Sequence, residues 1–127
     1  MKILGIGVDI IENKRFSKLI KNKKFISRVF SNKEIILSKR KKNKTNYFAK
    51  RFAAKEAFSK SIGTGFRDNL NLKDISILND NSGRPYYVLN NKLKNKINLY
   101  FNIKKFKTFL SLSDENKHSI AFSIIQK

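Results

Sequence analysis

A carboxylate and an ammonium group stand four residues apart in an alanine-rich stretch that ends at a Gly-Thr-Gly turn. Glu56 and Lys60 share one helical stripe, because residues four apart lie on the same face of a helix. Two aromatic residues, Phe48 and Phe52, begin the stripe, so we expect that half to be buried and the charged half to lie at the edge of the core. On spacing alone, an ordinary surface ion pair, worth roughly a few tenths of a kcal/mol, is the favoured interpretation.

The residues around this stripe predict one long helix. Positions 51–60 are mostly good helix formers and include no proline. Thr45 or Asn46 can cap the beginning of the helix, and Gly63 can end it in the left-handed conformation. The glycines of the turn would also let backbone amides approach an anion closely.

A second acidic residue, Asp9, lies in an N-terminal stretch that alternates with the period of a β-strand. Gly5, Gly7 and Asp9 fall on one face, and the other face carries Leu4, Ile6, Val8 and Ile10. We interpret the two missing side chains beside a carboxylate as room for a ligand, although a glycine-rich edge with a solvated Asp9 is the alternative. The pattern is not a dinucleotide fingerprint, because no third glycine opens a helix.

These two stretches together resemble a known family. Gly-Ile-Gly-Val-Asp-Ile-Ile-Glu near the N-terminus and Arg-Phe-Ala-Ala-Lys-Glu-Ala-Phe-Ser-Lys-Ser-Ile-Gly-Thr-Gly further on are similar to motifs of the holo-acyl-carrier-protein synthases, the small bacterial 4'-phosphopantetheinyl transferases. Ser-Gly-Arg-Pro at 82–85 resembles the short turn of that family, and residues 110–114 with 121–125 resemble its closing hairpin. The resemblance runs nearly end to end, in order.

The resemblance implies a reaction and its metal. Phosphopantetheine would move from coenzyme A to a serine of an acyl carrier protein, releasing adenosine 3',5'-bisphosphate, as a step that supports fatty acid biosynthesis. Asp9 and Glu56 match the acids that bind the metal in the family, and Mg²⁺ suits a site of one or two carboxylates completed by phosphate and water. Lys60 matches a lysine near the reacting phosphates. A homotrimer with active sites between subunits is implied as well.

The resemblance also assigns residues to the coenzyme. Arg51 would hold phosphates of the nucleotide, Gly63 and Gly65 would allow the backbone to approach, and Pro85 would lie near the adenine. The base that takes the serine proton stays open between Glu12 and a metal-bound water.

Two residues near the closing hairpin bear on this assignment. Asp114 stands where many members of the family have histidine, and a carboxylate there would repel the 3'-phosphate of the nucleotide. His118, the only histidine, falls in or beside a turn and is expected to be solvated or structural.

A basic amphipathic helix follows the first strand. Its apolar positions are Phe16, Leu19 and Ile20, and its exposed cations are Lys14, Arg15, Lys18 and Lys21. Carrier proteins of this kind are acidic, so we expect these four residues to form the docking face; a merely solvated helix face is the alternative.

The overall charge suggests a competing function. Lys+Arg 29 against Asp+Glu 9 gives a net charge of +20, for which nucleic acid is the default partner. A nucleic-acid-binding module would use the lysine run 39–44 and the aromatic residues for stacking. The aromatic residues have core spacing instead, and no helix-turn-helix, RRM or zinc pattern occurs. A/T-rich codon usage is an alternative explanation for part of the charge.

Composition and length set the remaining bounds. With 127 residues and no cysteine, we expect one domain, 1–127, with no disulfides, in the cytoplasm. No signal peptide or membrane span is expected. A strand at 72–78, a partner at 85–89, a helix at 91–101 and a hairpin of 106–112 with 120–125 complete the pattern. The predicted class is α+β, a small antiparallel sheet packed with a long helix and shorter helices.

Overall fold

The computed structural model describes all residues from 1 to 127 and has five strands and five α-helices. The strands are β1 (Ile3–Glu12), β2 (Ile75–Asn79), β3 (Pro85–Leu89), β4 (Lys107–Asp114) and β5 (His118–Gln126). The helices are α1 (Phe16–Leu19), α2 (Lys23–Val29), α3 (Asn32–Ser38), α4 (Lys44–Ile62) and α5 (Asn91–Phe101). Three 3-10 turns cover Asn13–Arg15, Thr64–Asn69 and Leu72–Asp74.

All strand pairs are antiparallel, in one sheet of order β1-β5-β4 and a second formed by β2 and β3. The α+β prediction is therefore confirmed. The predicted strand at 72–78 begins later, because its first residues form the 3-10 turn Leu72–Asp74. The predicted helix at 91–101 has the predicted bounds. No helix is both long enough and apolar enough to cross a membrane.

The glycine face of β1 packs directly on α4. A Cβ atom at Gly5 would overlap the carbonyl oxygen of Ser61, and one at Gly7 would overlap that of Ala57. The interpretation of these glycines as room for a ligand is therefore wrong: the missing side chains make room for the helix backbone. Close packing of strand and helix in turn fixes where Asp9 stands relative to α4.

The opposite face of the β1-β5-β4 sheet is apolar and uncovered in the single chain. Register places its side chains in one layer, for example Val8 opposite Phe122 and Ile10 opposite Ile120. Six of them are between 40% and 59% exposed: Ile6, Val8, Ile10, Phe109, Ile120 and Phe122. We call this layer the open sheet face.

A buried ion pair ties α3, α4 and the second sheet together. Glu34 and Lys55 are both 0% exposed, and their Oε1 and Nζ atoms are 2.7 Å apart. The spacing Ser31-x-x-Glu34 predicts a capping box, which the structure shows, and Glu34 also accepts a hydrogen bond from the amide of Ile77. Burial lowers the pKa of Lys55, while the charge of Glu34 opposes this change. The pair fixes the position of α4 relative to β2.

The ends of α4 differ in detail from the sequence prediction. Asn43, and not Thr45 or Asn46, caps the helix by accepting the amide of Asn46 at 3.0 Å. Gly63 ends the helix as predicted, but with φ 103° and ψ 165°, which is an extended conformation with positive φ and not the left-handed helical one. Only glycine adopts this conformation readily.

Five of the eleven phenylalanine rings are buried in the core. Phe16, Phe30, Phe48, Phe58 and Phe66 are each no more than 4% exposed. These rings are therefore not available as a stacking surface for nucleic-acid bases.

Candidate active site

The structure brings Asp9 and Lys60 together from distant parts of the chain. Lys60 Nζ lies 3.0 Å from Asp9 Oδ1 and donates to the carbonyl oxygen of Val8 at 3.0 Å. The Asp9 side chain is 14% exposed and that of Lys60 is 56% exposed. The pair thus stands at the border between core and solvent, as the helical stripe predicts.

Glu56 lies one turn before Lys60 on α4 and is half-buried. Burial raises the pKa of Glu56, the nearby charge of Asp9 raises it further, and Lys60 and Arg67 act in the opposite direction. Asp9 Oδ2 is buried and has no hydrogen-bond partner. The carboxylates of Asp9 and Glu56 therefore interact electrostatically, and Oδ2 of Asp9 has no hydrogen-bond partner.

This pair of carboxylates fits a Mg²⁺ ion that keeps water and substrate oxygens as its other ligands. No group of three or more His, Cys, Asp or Glu side chains that could hold a metal occurs in the chain. Mg²⁺ is commonly held by one or two carboxylates plus substrate phosphates, and the unpaired oxygen of Asp9 suits that donor set.

A small cleft of about 150 Å³ opens beside these residues. Its lining is entirely non-hydrophobic and consists of Glu56, Ser59, Lys60, Gly63, Thr64 and Arg67. We call it the carboxylate cleft. Of the two predicted glycines, Gly63 lines it, whereas Gly65 lies against Tyr100, whose hydroxyl would be 2.7 Å from a Cβ atom there.

A second cleft of about 610 Å³ lies at the other end of α4. Six of its lining residues are charged or were predicted to bind the coenzyme: Lys41, Lys42, Lys50, Arg51, Pro85 and Asp114. We call it the arginine cleft. The structure therefore places Arg51 and Pro85 in the same cleft, as the assignment to one nucleotide requires. The arginine cleft and the carboxylate cleft have no lining residue in common, so these two residues are separated from Glu56 and Lys60.

Arg51 is held firmly in the arginine cleft. It is 5% exposed, its guanidinium lies 3.9 Å from the centroid of the Tyr47 ring, and Nη2 donates to Asn79 at 2.7 Å. Burial lowers the pKa of Arg51, and Tyr47 opposes that shift. Nε is buried without a hydrogen-bond partner, which leaves one donor unused.

Asp114 lines the arginine cleft, where its carboxylate was expected to repel a phosphate. Lys50 Nζ lies 3.7 Å from Asp114 Oδ1, so a cation from α4 offsets that charge. Together with Lys41 and Lys42, the cleft keeps an excess of positive charge.

Glu12 is not brought to the carboxylate cleft. It is exposed at the end of β1, on the strand face opposite to Asp9, and it lines a polar pocket with Asn13, Lys14 and His118. His118 is half-exposed, and its Nδ1 lies 2.9 Å from Oε1 of Glu115 in the β4–β5 turn. The two residues therefore form a pair at the surface.

The predicted basic helix is divided into a 3-10 turn, Asn13–Arg15, and the short helix α1. Asn13 anchors the turn by donating to Glu115 O at 3.1 Å and accepting from Ser119 Oγ at 2.6 Å. All four predicted cations are exposed, and we call them the basic segment: Lys14, Arg15, Lys18 and Lys21.

Comparison with known proteins gives matches along nearly the whole chain. A family model described as the 4'-phosphopantetheinyl transferase superfamily matches residues 5–123. The chain is 58% identical over 127 residues to holo-[acyl-carrier-protein] synthase from Pelagibacter ubique, covering 100% of this chain and 99% of that protein.

Two solved structures are similar in fold and sequence. Holo-[acyl-carrier-protein] synthase from Neisseria meningitidis matches with a TM-score of 0.86 and 36% identity, covering 99% of this chain and 100% of that one. A holo-(acyl-carrier-protein) synthase from Bacillus anthracis, solved in complex with CoA (3',5'-ADP), matches with a TM-score of 0.80 and 31% identity, covering 98% and 97%.

Proposed function

Because this chain belongs to the 4'-phosphopantetheinyl transferase superfamily, among the holo-[acyl-carrier-protein] synthases, we propose that it transfers 4'-phosphopantetheine from coenzyme A to a serine of apo acyl carrier protein. The transfer depends on Mg²⁺ and releases adenosine 3',5'-bisphosphate. The observation that carries this proposal is the meeting of Asp9, Glu56 and Lys60 at the end of α4. The whole of 1–127 acts as one transferase domain, in the cytoplasm, in support of fatty acid biosynthesis.

Asp9 and Glu56 would hold the metal, and Lys60 the pyrophosphate. When bound, Mg²⁺ neutralises charge on the phosphate oxygens. The Lys60 side chain is 56% exposed, so its ammonium group would be free to turn from Asp9 towards an incoming phosphate. Its point charge then stabilises oxygens of the leaving group.

The arginine cleft would hold the nucleotide. Its cations suit phosphates, Arg51 has an unused buried donor at Nε, and Pro85 offers an apolar surface to the adenine. Gly63 and Gly65 would allow the backbone to approach the coenzyme. The Bacillus anthracis relative was solved with CoA (3',5'-ADP), which supports coenzyme A as the donor substrate.

One active site is built from two copies of the chain, in a homotrimer. Arg51 and Lys60 are nine residues apart on α4, so they project to opposite sides of the helix, about 13 Å apart along its axis. One coenzyme molecule would have to pass around the helix to touch both in one chain. The open sheet face supports assembly, because six exposed apolar side chains in one layer are typical of an interface.

Glu12 stays a prediction as the group that takes the serine proton. It faces away from Asp9 on β1, so this role depends on the arrangement of a neighbouring copy or of the carrier protein. The basic segment is the proposed docking face for the acidic carrier, since its four cations are exposed and attraction between opposite charges speeds association.

The intact mass of a purified apo carrier protein tests the proposal directly. The carrier is incubated with this protein, coenzyme A and Mg²⁺, next to a sample with EDTA. We expect a gain of one phosphopantetheine that EDTA abolishes. No gain with several carriers and a folded protein would overturn the proposal, and a gain unaffected by EDTA would overturn its metal dependence.

A further inference from the structure

Arg67 lies in the carboxylate cleft without a partner of its own. It lines the cleft beside Glu56 and Lys60, and none of the ion pairs or side-chain hydrogen bonds of the chain involves it. Lys60, in contrast, is engaged with Asp9 and the Val8 carbonyl. Arg67 is therefore the cation of this cleft whose donors are free for an incoming anion. Sequence reasoning missed it because it lies beyond the Gly-Thr-Gly turn, outside any periodic pattern.

The segment that carries Arg67 is anchored immediately before it. Phe66 is 2% exposed, and its ring centroid lies 5.3 Å from that of Tyr100. Tyr100 also sits so close to Gly65 that a side chain at this position would collide with its hydroxyl. Since these contacts fix the backbone of the turn Thr64–Asn69, the position of Arg67 at the cleft is set by packing.

The charge of Arg67 reaches the Glu56 carboxylate of the cleft. Burial and Asp9 raise the pKa of Glu56, and Arg67 acts with Lys60 to lower it. A guanidinium that acts on this carboxylate is also near enough to act on a phosphate held beside it. Its planar fork can donate two parallel N–H bonds to phosphate oxygens, which a lysine cannot do.

We propose that Arg67 binds the pyrophosphate of coenzyme A at the phosphate that carries pantetheine. This inference rests on the proposed transfer and refines it. In that step the serine hydroxyl gives its proton to the general base, its oxygen forms a bond to this phosphorus, the bond from phosphorus to the bridging oxygen breaks, and adenosine 3',5'-bisphosphate leaves with that oxygen. Negative charge is spread over the other oxygens of the transferred group, where a fixed guanidinium stabilises it without gaining or losing a proton. The nucleotide end is held elsewhere, at the arginine cleft.

Binding of two ligands separates this assignment from a general effect of charge. Adenosine 3',5'-bisphosphate lacks the phosphate that carries pantetheine, whereas coenzyme A has it. By calorimetry with Mg²⁺ present, we expect Arg67→Ala to weaken coenzyme A binding about tenfold and adenosine 3',5'-bisphosphate binding less than about twofold. Arg67→Lys should fall between wild type and alanine for coenzyme A, because charge remains but the fork is lost.

Lys92→Ala is the matched control, because it removes the same charge from an exposed position of α5 that lines neither cleft. It should leave both affinities unchanged. Equal weakening of both ligands by Arg67→Ala, or no weakening of either, would overturn the assignment. The carrier-mass assay on wild type distinguishes a failure of this assignment from a failure of the proposed transfer. If wild type transfers phosphopantetheine and Arg67→Ala binds coenzyme A normally, only the role of Arg67 is wrong.

Discussion

The two clefts at the ends of α4 differ in the kind of interaction that they offer. The arginine cleft is wide and is lined by four cations and one carboxylate, Asp114, that Lys50 offsets. The carboxylate cleft is about a quarter of that size, and the charges of Asp9, Lys60 and Arg67 act on its one carboxylate, Glu56. Fixed positive charge favours binding of an anion, while paired carboxylates favour a hard cation. We infer that one end recognises the nucleotide and the other performs the transfer.

The buried packing of α4 keeps these two ends independent. The Glu34–Lys55 pair and the glycine contacts with β1 hold the helix between them, and the clefts share no lining residue. Within one chain, a substitution at one end is therefore not expected to disturb the packing at the other end. The comparison is therefore testable by changing each end separately.

The largest effect is expected from Glu56→Gln. A neutral amide is a poorer ligand for Mg²⁺, so we expect turnover to fall on the order of a hundredfold and the Mg²⁺ concentration for half-maximal activity to rise. Calorimetric titration of Mg²⁺ into the protein with coenzyme A present measures the loss of metal affinity without relying on activity. The affinity for adenosine 3',5'-bisphosphate should change little, because its main contacts are proposed at the other end.

Glu115→Gln serves as the control for this change, since Glu115 is an exposed acid in the β4–β5 turn and does not line the carboxylate cleft. It should behave as wild type. If Glu56→Gln leaves the Mg²⁺ titration unchanged, Glu56 does not belong to the metal site, and the contrast between the clefts loses its chemical basis.

The next largest effect is expected from Arg51→Ala, which acts at the opposite end. Loss of the guanidinium should raise the KM for coenzyme A about tenfold and change kcat less, because binding rather than chemistry is affected. Steady-state kinetics give this separation directly. Arg51→Lys should recover only part of the affinity, since an ammonium lacks the planar face that stacks on Tyr47.

Arg40→Ala is the comparison for charge alone, because Arg40 is exposed just before α4 and does not line the arginine cleft. A thermal melt of each variant identifies simple destabilisation, which matters because Arg51 is buried. A drop in kcat with KM unchanged would contradict the assignment of this end to recognition.

Sequence patterns predicted the elements of the site better than their packing. The capping box at Ser31, the helix 91–101 and the stripe from Phe48 to Lys60 all follow from local spacing, which is why they agree with the structure. The role of Gly5 and Gly7 does not follow from local spacing, because a missing side chain can leave room for a ligand or for a helix. Only the position of α4 in the fold decides between these two possibilities.

The sequence likewise does not predict that the coenzyme-binding residues lie in two separate clefts. The resemblance placed Arg51 and Lys60 around one coenzyme, but nothing in their spacing says which chain supplies which residue. The buried Glu34–Lys55 pair was missed for a related reason. Lysine is a residue type that is rarely buried, and the burial of Lys55 depends on carbonyl groups of Leu72 and Ile75 that come much later in the chain.

A smaller effect is expected at the basic segment, away from both clefts. Reversal of Lys14, Arg15 and Lys18 to glutamate should raise the KM for the acidic carrier about five- to tenfold at low salt, because electrostatic attraction is lost. The effect should shrink as salt is added, and coenzyme A affinity should stay unchanged. Reversal of three exposed lysines on other elements, Lys39, Lys92 and Lys94, provides the control for net charge. Equal loss of carrier use in the control would mean that only overall charge matters.

The smallest effect concerns the pH dependence that the raised pKa of Glu56 creates. Burial and the charge of Asp9 make the folded protein hold this proton more tightly than the unfolded chain does. The resulting stabilisation is present at low pH and is lost as pH rises through the folded pKa, so ionised Glu56 destabilises the metal-free protein. Glu56→Gln should therefore melt slightly higher than wild type in EDTA at neutral pH, and the two should converge in acid. Protons and Mg²⁺ compete for the same carboxylate, so the Mg²⁺ affinity of wild type should decrease as pH is lowered. A melting difference independent of pH would show that Glu56 is not the group responsible, and would remove the electrostatic coupling that distinguishes the carboxylate cleft from the arginine cleft.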